Sequence, residues 1–319
     1  MENLIFSLNA TIPVFLVMVI GYILKNLNFL DEGFVKTLNS FNYKITLPIL
    51  LFKDIAESDF LSVWDTKYVL FCFFTTLLCI FLTFTITAKV YHKKDLVGEF
   101  VQASYRSSAA VLGIAFIQNI YGNAGMAPLM IIGTVPLYNI AAVLILSFTG
   151  PDAKGLNRSA LKKSIKDILR NPIILGILLG MAASFLKSAF HLPTVTILAK
   201  TVNNLAVLAT PLALIGLGAG FEGKKALAEI KPTLACSFIK LILWPVIFLP
   251  LAVSLGFRDE KLVALLIMLG SPTTVSCYIM AKNLKHEGVL TSSIVVTTTF
   301  LSSVTLTFFL YILKYLNLI

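Results

Sequence analysis

Charge is scarce in this sequence. Asp, Glu, Lys and Arg together make up 13% of its 319 residues, against about a quarter in an ordinary soluble domain. Apolar residues reach 57% and the mean hydropathy is +0.88. A water-soluble fold cannot hide that much apolar surface, so a soluble globular domain is excluded and lipid is the expected solvent. Metal and disulfide chemistry are equally thin. Cys72, Cys79, Cys236 and Cys277 all lie inside apolar runs, form no C-x-x-C pair and have no histidine at ligand spacing. His92, His191 and His286 fall between the runs. With no H-E-x-x-H, no mid-span Asp pair and no Ser/His pairing, neither an enzyme nor a bound cofactor is expected. No basic residue precedes Lys25, whereas a cleaved signal peptide has a positive start. The first apolar run is therefore expected to be a retained helix.

What is present is a series of apolar runs. A hydrocarbon core of roughly 30 Å calls for about 20 apolar residues per helix. Runs of this kind occupy 4–24, 34–52, 68–88, 98–119, 126–148, 172–190, 196–219, 232–255, 261–281 and 289–313, which predicts ten spans. Net charge is +10, but the basic residues gather in short clusters between runs. That arrangement fits one face of a membrane better than a nucleic acid. Lys89, Lys93 and Lys94, the series from Lys154 to Arg170, Lys224, Lys225 and Lys231, and Lys282 and Lys285 fall in alternate loops. The remaining loops hold fewer: Lys53, Lys67, Lys187, Lys200, Arg258, Lys261 and Lys314. The asymmetry predicts both termini outside a cell (plasma or inner) membrane. Residues 150–171 then form a basic cytoplasmic linker between a first five-helix unit, 1–149, and a second, 172–319.

The two units echo each other. Pro13 and Gly21 recur as Pro172 and Gly180 at an offset of 159, and the same offset carries Gly113 onto Pro272. Spans 2 and 7 each hold an Asn followed six or seven residues later by Pro. With five spans per unit, the second copy enters the membrane from the opposite side. This is the inverted repeat from which many secondary transporters are built.

Carriers of that type bind substrate where paired helices break near the midplane. Spans 4 and 9 are the candidates. Span 4 carries Ser107 and Ser108, then Gly113 about halfway across. Span 9 carries Gly270, Ser271, Pro272, Thr273 and Thr274 at a similar depth. Proline removes a backbone donor and glycine loosens the helix, so freed carbonyls and amides need partners there. None of the 16 acidic residues falls mid-span. That argues against a cation exchanger, which holds its ion on a buried carboxylate. Three basic residues do lie within spans. Lys44 and Lys240 are expected to snorkel to the headgroups; Arg106, two residues before Ser108, either snorkels or lines a vestibule that attracts anions. Of two mid-depth amides, Asn42 is expected to join helices and Asn139 to contact substrate.

These motifs resemble the auxin efflux carrier family, which includes plant auxin carriers and bacterial carriers of malate- or malonate-like acids. The resemblance rests on LPILLF (Leu47 to Phe52), Asn171-Pro172, PLALIGLGAGF from Pro211, Pro272 followed by Ala281 and Lys282, and TTTFLSS in span 10. It implies two inverted five-helix repeats, a scaffold and a transport domain, helices 4 and 9 crossing, and an elevator-like movement. Ser108 stands where the family has an Asn and Ala115 where it has the first crossing proline; both depart from the pattern, while Pro272 keeps the second.

The expectation is an all-helical carrier of a small carboxylate. Its anion would be held by Ser108, Gly113, Thr273, Thr274 and Pro272 at half-helix N-termini, with Asn139 and Arg106 alongside. The alternative is a cation- or proton-coupled exchanger of the same architecture. Lipid is the expected surrounding, nucleic acid is not an expected partner, and the apolar surfaces of spans 1, 2, 6 and 7 could support a homodimer.

Overall fold

Lipid offers nothing to a free N–H or C=O, so a segment within it must close its backbone hydrogen bonds internally. The computed structural model is accordingly helical. It describes residues 16–57, 64–91, 94–109, 126–150, 172–190, 196–221 and 227–319, with Pro13, Ile117, Ile120 and Tyr121. The helices are α1 (Leu16–Asn26), α2 (Glu32–Phe41), α3 (Leu47–Ala56), α4 (Thr66–Val90), α5 (Lys94–Tyr105), α6 (Ala127–Thr149), α7 (Pro172–Phe190) and α8 (Thr196–Ala219). They continue with α9 (Ile230–Phe238), α10 (Trp244–Ser254), α11 (Glu260–Gly270), α12 (Ser276–Asn283) and α13 (Val289–Tyr315). A π-turn, Asn42–Thr46, joins α2 to α3, and another, Ile239–Leu243, joins α9 to α10. Each ends just before an X-Pro step, Leu47-Pro48 and Trp244-Pro245. There the proline ring cannot accept the usual four-residue spacing and the turn widens.

Five of these runs are long and apolar enough to cross a membrane: α4, Leu129–Thr149 of α6, α8, Ile230–Ser254 and α13. Leu16–Asn26 and Leu175–Lys187 are shorter apolar helices. Spans 4 and 9 of the sequence do not appear as single helices, because both break: α5 stops at Tyr105 and α11 at Gly270. The break in span 4 thus precedes Gly113, which, like Ala115, lies outside the described residues. So does the linker beyond Gly150. The breaks pair Ser107 with Thr273, so the register linking them differs from the offset that carried Gly113 onto Pro272.

The surface is inverted relative to a soluble protein. On α4, Phe74, Leu78, Phe81 and Ile86 point outward, while Cys72, Thr75, Thr76, Cys79, Thr83 and Thr87 are buried. Small hydroxyl residues line the inner faces of α4, α6 and α13, and most bond back to their own helix. Thr83 donates to the Cys79 carbonyl, Thr134 to Met130 at 2.7 Å, Thr149 to Ile145 at 2.7 Å, Thr298 to Ile294 at 2.7 Å and Thr299 to Val295 at 2.7 Å. This satisfies the hydroxyl without help from a neighbour.

Among the described residues two large apolar cores stand out. One joins α4, α5, α6, α10, α11 and α13; the other joins α1, α3, α6, α7, α8 and α12. One close seam in the second is α3 against α7. A Cβ on Gly176 would run into the Pro48 carbonyl oxygen, and one on Gly180 would lie 2.9 Å from that of Phe52. Small residues four apart permit this backbone approach. Glu99 of α5, buried, ties the first core to α13: its carboxylate accepts from the amides of Gly288 (2.8 Å) and Thr291 (2.8 Å) and the Thr291 hydroxyl (2.9 Å). It thereby caps the α13 N-terminus, where negative charge is favoured, and Gly288 takes a left-handed φ of 73° to present its amide.

At the start of α4, Asp65 N-caps the helix by accepting from Tyr68 N (3.0 Å) and pairs with Lys261 of α11 at 2.6 Å. The hydrogen bond from Lys261 holds the Asp65 carboxyl below its ordinary value. A carboxylate depressed in the folded state adds stability above its unfolded value, about pH 3.9, and loses it as pH falls through the lower folded value.

Two outcomes are expected. Gly176→Leu should lower the thermal midpoint of the purified protein through overpacking worth about 1–3 kcal/mol or more. Asp65→Asn should cost a few tenths of a kcal/mol, at the low end for a partly exposed pair, at neutral pH; melting curves of mutant and wild type should converge as pH falls through the lowered folded value.

Candidate functional site

Where α5 and α11 end, their last carbonyls have no helical partner. The two breaks answer each other. Thr273 Oγ1, from the second break, donates to the Ala103 carbonyl of α5 at 2.7 Å. Ser107 Oγ, from the first, donates to the Met268 carbonyl of α11. Ser108 N donates to the Pro272 carbonyl at 3.0 Å, and the extended chains cross as an antiparallel bridge. Neighbouring helices complete the accounting. Trp244 Nε1 donates to Ser104 O at 3.0 Å, and Thr273 N donates to Thr298 Oγ1 at 3.1 Å.

Lys240, in the second π-turn, is fully buried rather than snorkelled. Its ammonium donates to Leu269 O (2.9 Å), Met268 O (3.3 Å) and Ser107 Oγ (2.5 Å). It sits at the C-terminus of a half-helix, the end that favours positive charge. The sequence placed Lys240 correctly within a span but not on the crossing. The π-turn rotates it inward. Lys44, in the first π-turn, is exposed. Asn42 joins helices as expected, donating from Nδ2 to Ala209 O of α8 at 3.0 Å.

Beside the crossing lies a cavity of about 80 Å³. One wall is α3 and α8, through Leu47, Leu50, Leu51, Asp54, Ala209, Thr210 and Ala213. The other is the crossing and α6, through Arg106, Ser107, Ser108, Ala109, Val135, Tyr138, Asn139, Thr274, Val275 and Ser276. The structure therefore brings Arg106, Ser108, Asn139 and Thr274 to one cavity. Pro272 and Thr273 stand behind its wall, the Thr273 hydroxyl engaged by Ala103. Gly113 lies outside the described residues.

Arg106 is 2% exposed and lines the cavity through neutral neighbours. Its guanidinium donates to Asn139 Oδ1 (2.8 Å), Ser276 Oγ (2.9 Å), Met280 Sδ (2.8 Å) and Gln102 Oε1 (3.4 Å). Nε has no partner, and among the described residues no carboxylate pairs with this cation. A buried charge without a counter-ion is costly, and with four of the five guanidinium hydrogens given to neutral groups, Nε is the one donor left for a single charge-assisted bond. Asn139 fixes the arginine, and α12 begins at Ser276 with its N-terminus on the cavity, a further attraction for an anion.

Asp54 was missed by the sequence reading. The apolar run was ended at Phe52, but α3 continues to Ala56, which carries Asp54 onto the cavity wall. One further helical turn past the apolar run was the available signal.

Broken helices crossing beside a small cavity that offers an uncompensated cation, in a helical bundle with an apolar exterior, define a membrane transporter. The chain matches the Mem_trans family, described as "Membrane transport protein", over residues 6–310. It belongs to that family, the auxin efflux carriers that its motifs resemble. It is 22% identical over 303 residues to the uncharacterized transporter MJ1031 of Methanocaldococcus jannaschii, covering 92% of this chain and 94% of that protein. The uncharacterized transporter YfdV of Escherichia coli K12 is 24% identical over 288 residues, 87% of this chain and 88% of its own. A Rhizobium meliloti protein named "Putative malonate transporter" is 26% identical over 324 residues, 95% of this chain and 94% of its own.

Lys240→Met should leave the Leu269 carbonyl without its donor, at about 1–3 kcal/mol for a buried acceptor, while Met268 keeps Ser107. The expected result is a lower thermal midpoint in detergent than for a Lys44→Met control, whose side chain is exposed.

Proposed function

We propose that this protein is a secondary transporter of a small organic anion, a short carboxylate of the malonate or malate kind. The carrying observation is the buried Arg106 guanidinium, which lines the cavity with its Nε unpartnered and no carboxylate partner among the described residues. An anion completes that charge, takes hydroxyl donors from Ser108 and Ser276, and lies at the α12 N-terminus. Cavity size favours the short acids over an aromatic one such as indole-acetate: at about 10–15 Å³ of this space per water, 80 Å³ corresponds to a ligand of several heavy atoms. The name of the Rhizobium relative supports the same class.

In this reading the halves 1–149 and 172–319 are inverted repeats. The reciprocal caps, Thr273 on Ala103 and Ser107 on Met268, support it, because each break serves the other in the same manner. The cavity divides α3 and α8 from the crossing and α6, a division suited to elevator-type alternating access in which one side moves the anion past the other. Plasma-membrane placement with both termini outside follows from the distribution of Lys and Arg.

The test is uptake of labelled malonate, malate and indole-acetate into proteoliposomes. Wild type should take up a short dicarboxylate saturably. Arg106→Gln should cut uptake by about ten- to a hundredfold, the equivalent of one or two charged hydrogen bonds, and Ser108→Ala by less. Failure of folded wild-type protein to take up any carboxylate would reject the substrate class.

A further inference from the structure

Asp54 lines the cavity together with Arg106, and each keeps one enclosed polar atom without a partner: Oδ2 of Asp54 accepts no hydrogen bond and Nε of Arg106 donates none. An ionised carboxylate enclosed without a donor is costly, and it would repel an anion bound at Arg106. The protonated acid has the opposite character: its O–H needs one acceptor, which the oxygen of a bound carboxylate provides. A dicarboxylate placed between them accepts from Arg106 at one end and from Asp54 at the other, satisfying both orphan atoms at once.

We infer that Asp54 binds a proton that is carried together with the anion, so that the protein is a proton-coupled carrier. This rests on the carrier reading above. The proton reaches Asp54 from water on the loading side, passes along their hydrogen bond to the anion's carboxylate as one wall moves past the other, and leaves the anion to water on the far side, Asp54 then taking up the next proton. One proton accompanies each anion.

The charged surroundings are consistent with a single titrating acid. On its own helix, Lys53 pairs with Glu57 at 3.5 Å. Across the cavity stand Arg106 and, from α6, Tyr138. Helix α7 packs on α3 through Gly176 and Gly180 and carries its one charge, Lys187, in its last turn. Helix α8 lines the cavity with Ala209, Thr210 and Ala213, its one charge being Lys200 near its start. Among the described residues, no second carboxylate lines the cavity.

Wild type, Asp54→Asn and Asp54→Glu, each shown to be monodisperse, would be reconstituted and given labelled malonate under an imposed proton or Na⁺ gradient. An inward proton gradient should accelerate wild-type uptake and carry protons into the lumen. Malonate affinity should rise by up to about tenfold per pH unit of acidification relative to Asp54→Asn, the anion's own titration being common to both. Asp54→Asn should lose the gradient response and Asp54→Glu should recover part of it. Infrared spectra should show a carboxylic-acid band at neutral pH that Asp54→Asn lacks. Saturable uptake indifferent to the proton gradient, or driven by Na⁺, would overturn the coupling and leave the carrier reading intact; so would a full gradient response in Asp54→Asn. If wild type takes up no carboxylate, the carrier reading falls, and the infrared band alone decides whether Asp54 holds a proton.

Discussion

Everything at this site depends on the need to satisfy backbone carbonyls where two helices stop inside an apolar bundle. A helix end in water is served by solvent; here the acceptors of α5 and α11 must find donors within the protein. The solution is mutual. The hydroxyl of each break caps the other half-helix, Thr273 on Ala103 and Ser107 on Met268, and the buried ammonium of Lys240 gathers what remains at Met268 and Leu269. Neither break is stable alone, so the crossing forms as one unit or not at all.

That constraint also creates the cavity. Extended chain at the crossing cannot fill space as a helix does, and the cavity lies against it. Arg106 is the first residue past α5, held by Asn139 and Ser276 from two other elements. A lone arginine at this depth would be expected to find a carboxylate. Neutral partners orient it instead. The same logic accounts for Asn139: its amide accepts from Arg106 and donates to Val135 O at 2.8 Å, so both its groups are engaged in positioning.

Much of this was legible in sequence, to differing depths. Apolar runs revealed the helices because hydrocarbon solvation leaves few alternatives. The second break was readable from Gly270-Ser271-Pro272, since proline and glycine mark interruptions locally. The first was only half readable. Ser107 and Ser108 were singled out, but no proline lies there, and Gly113 drew attention to a point several residues too late. What stops α5 at Tyr105 is the partner strand, a tertiary cause with no local signature. Lys240 shows the same limit. Its span was evident, yet a π-turn decides which way it faces, and hydropathy does not register the one extra residue that such a turn holds. Asp54 was lost because an apolar window ends where charge begins, whereas a helix does not.

The Ser and Thr residues facing inward on α4, α6 and α13 have a bearing on how such a bundle can work. Most of these hydroxyls close onto the carbonyl three or four residues earlier and so serve their own helix; Thr291 and Thr298 of α13 also reach Glu99 and Thr273. Where two faces of the first kind meet, methyl groups and backbone make the contact, with no hydrogen bond strung between them. Such faces can shift against each other without stranding a polar atom, whereas a shift at the crossing would break the hydrogen bonds that hold it.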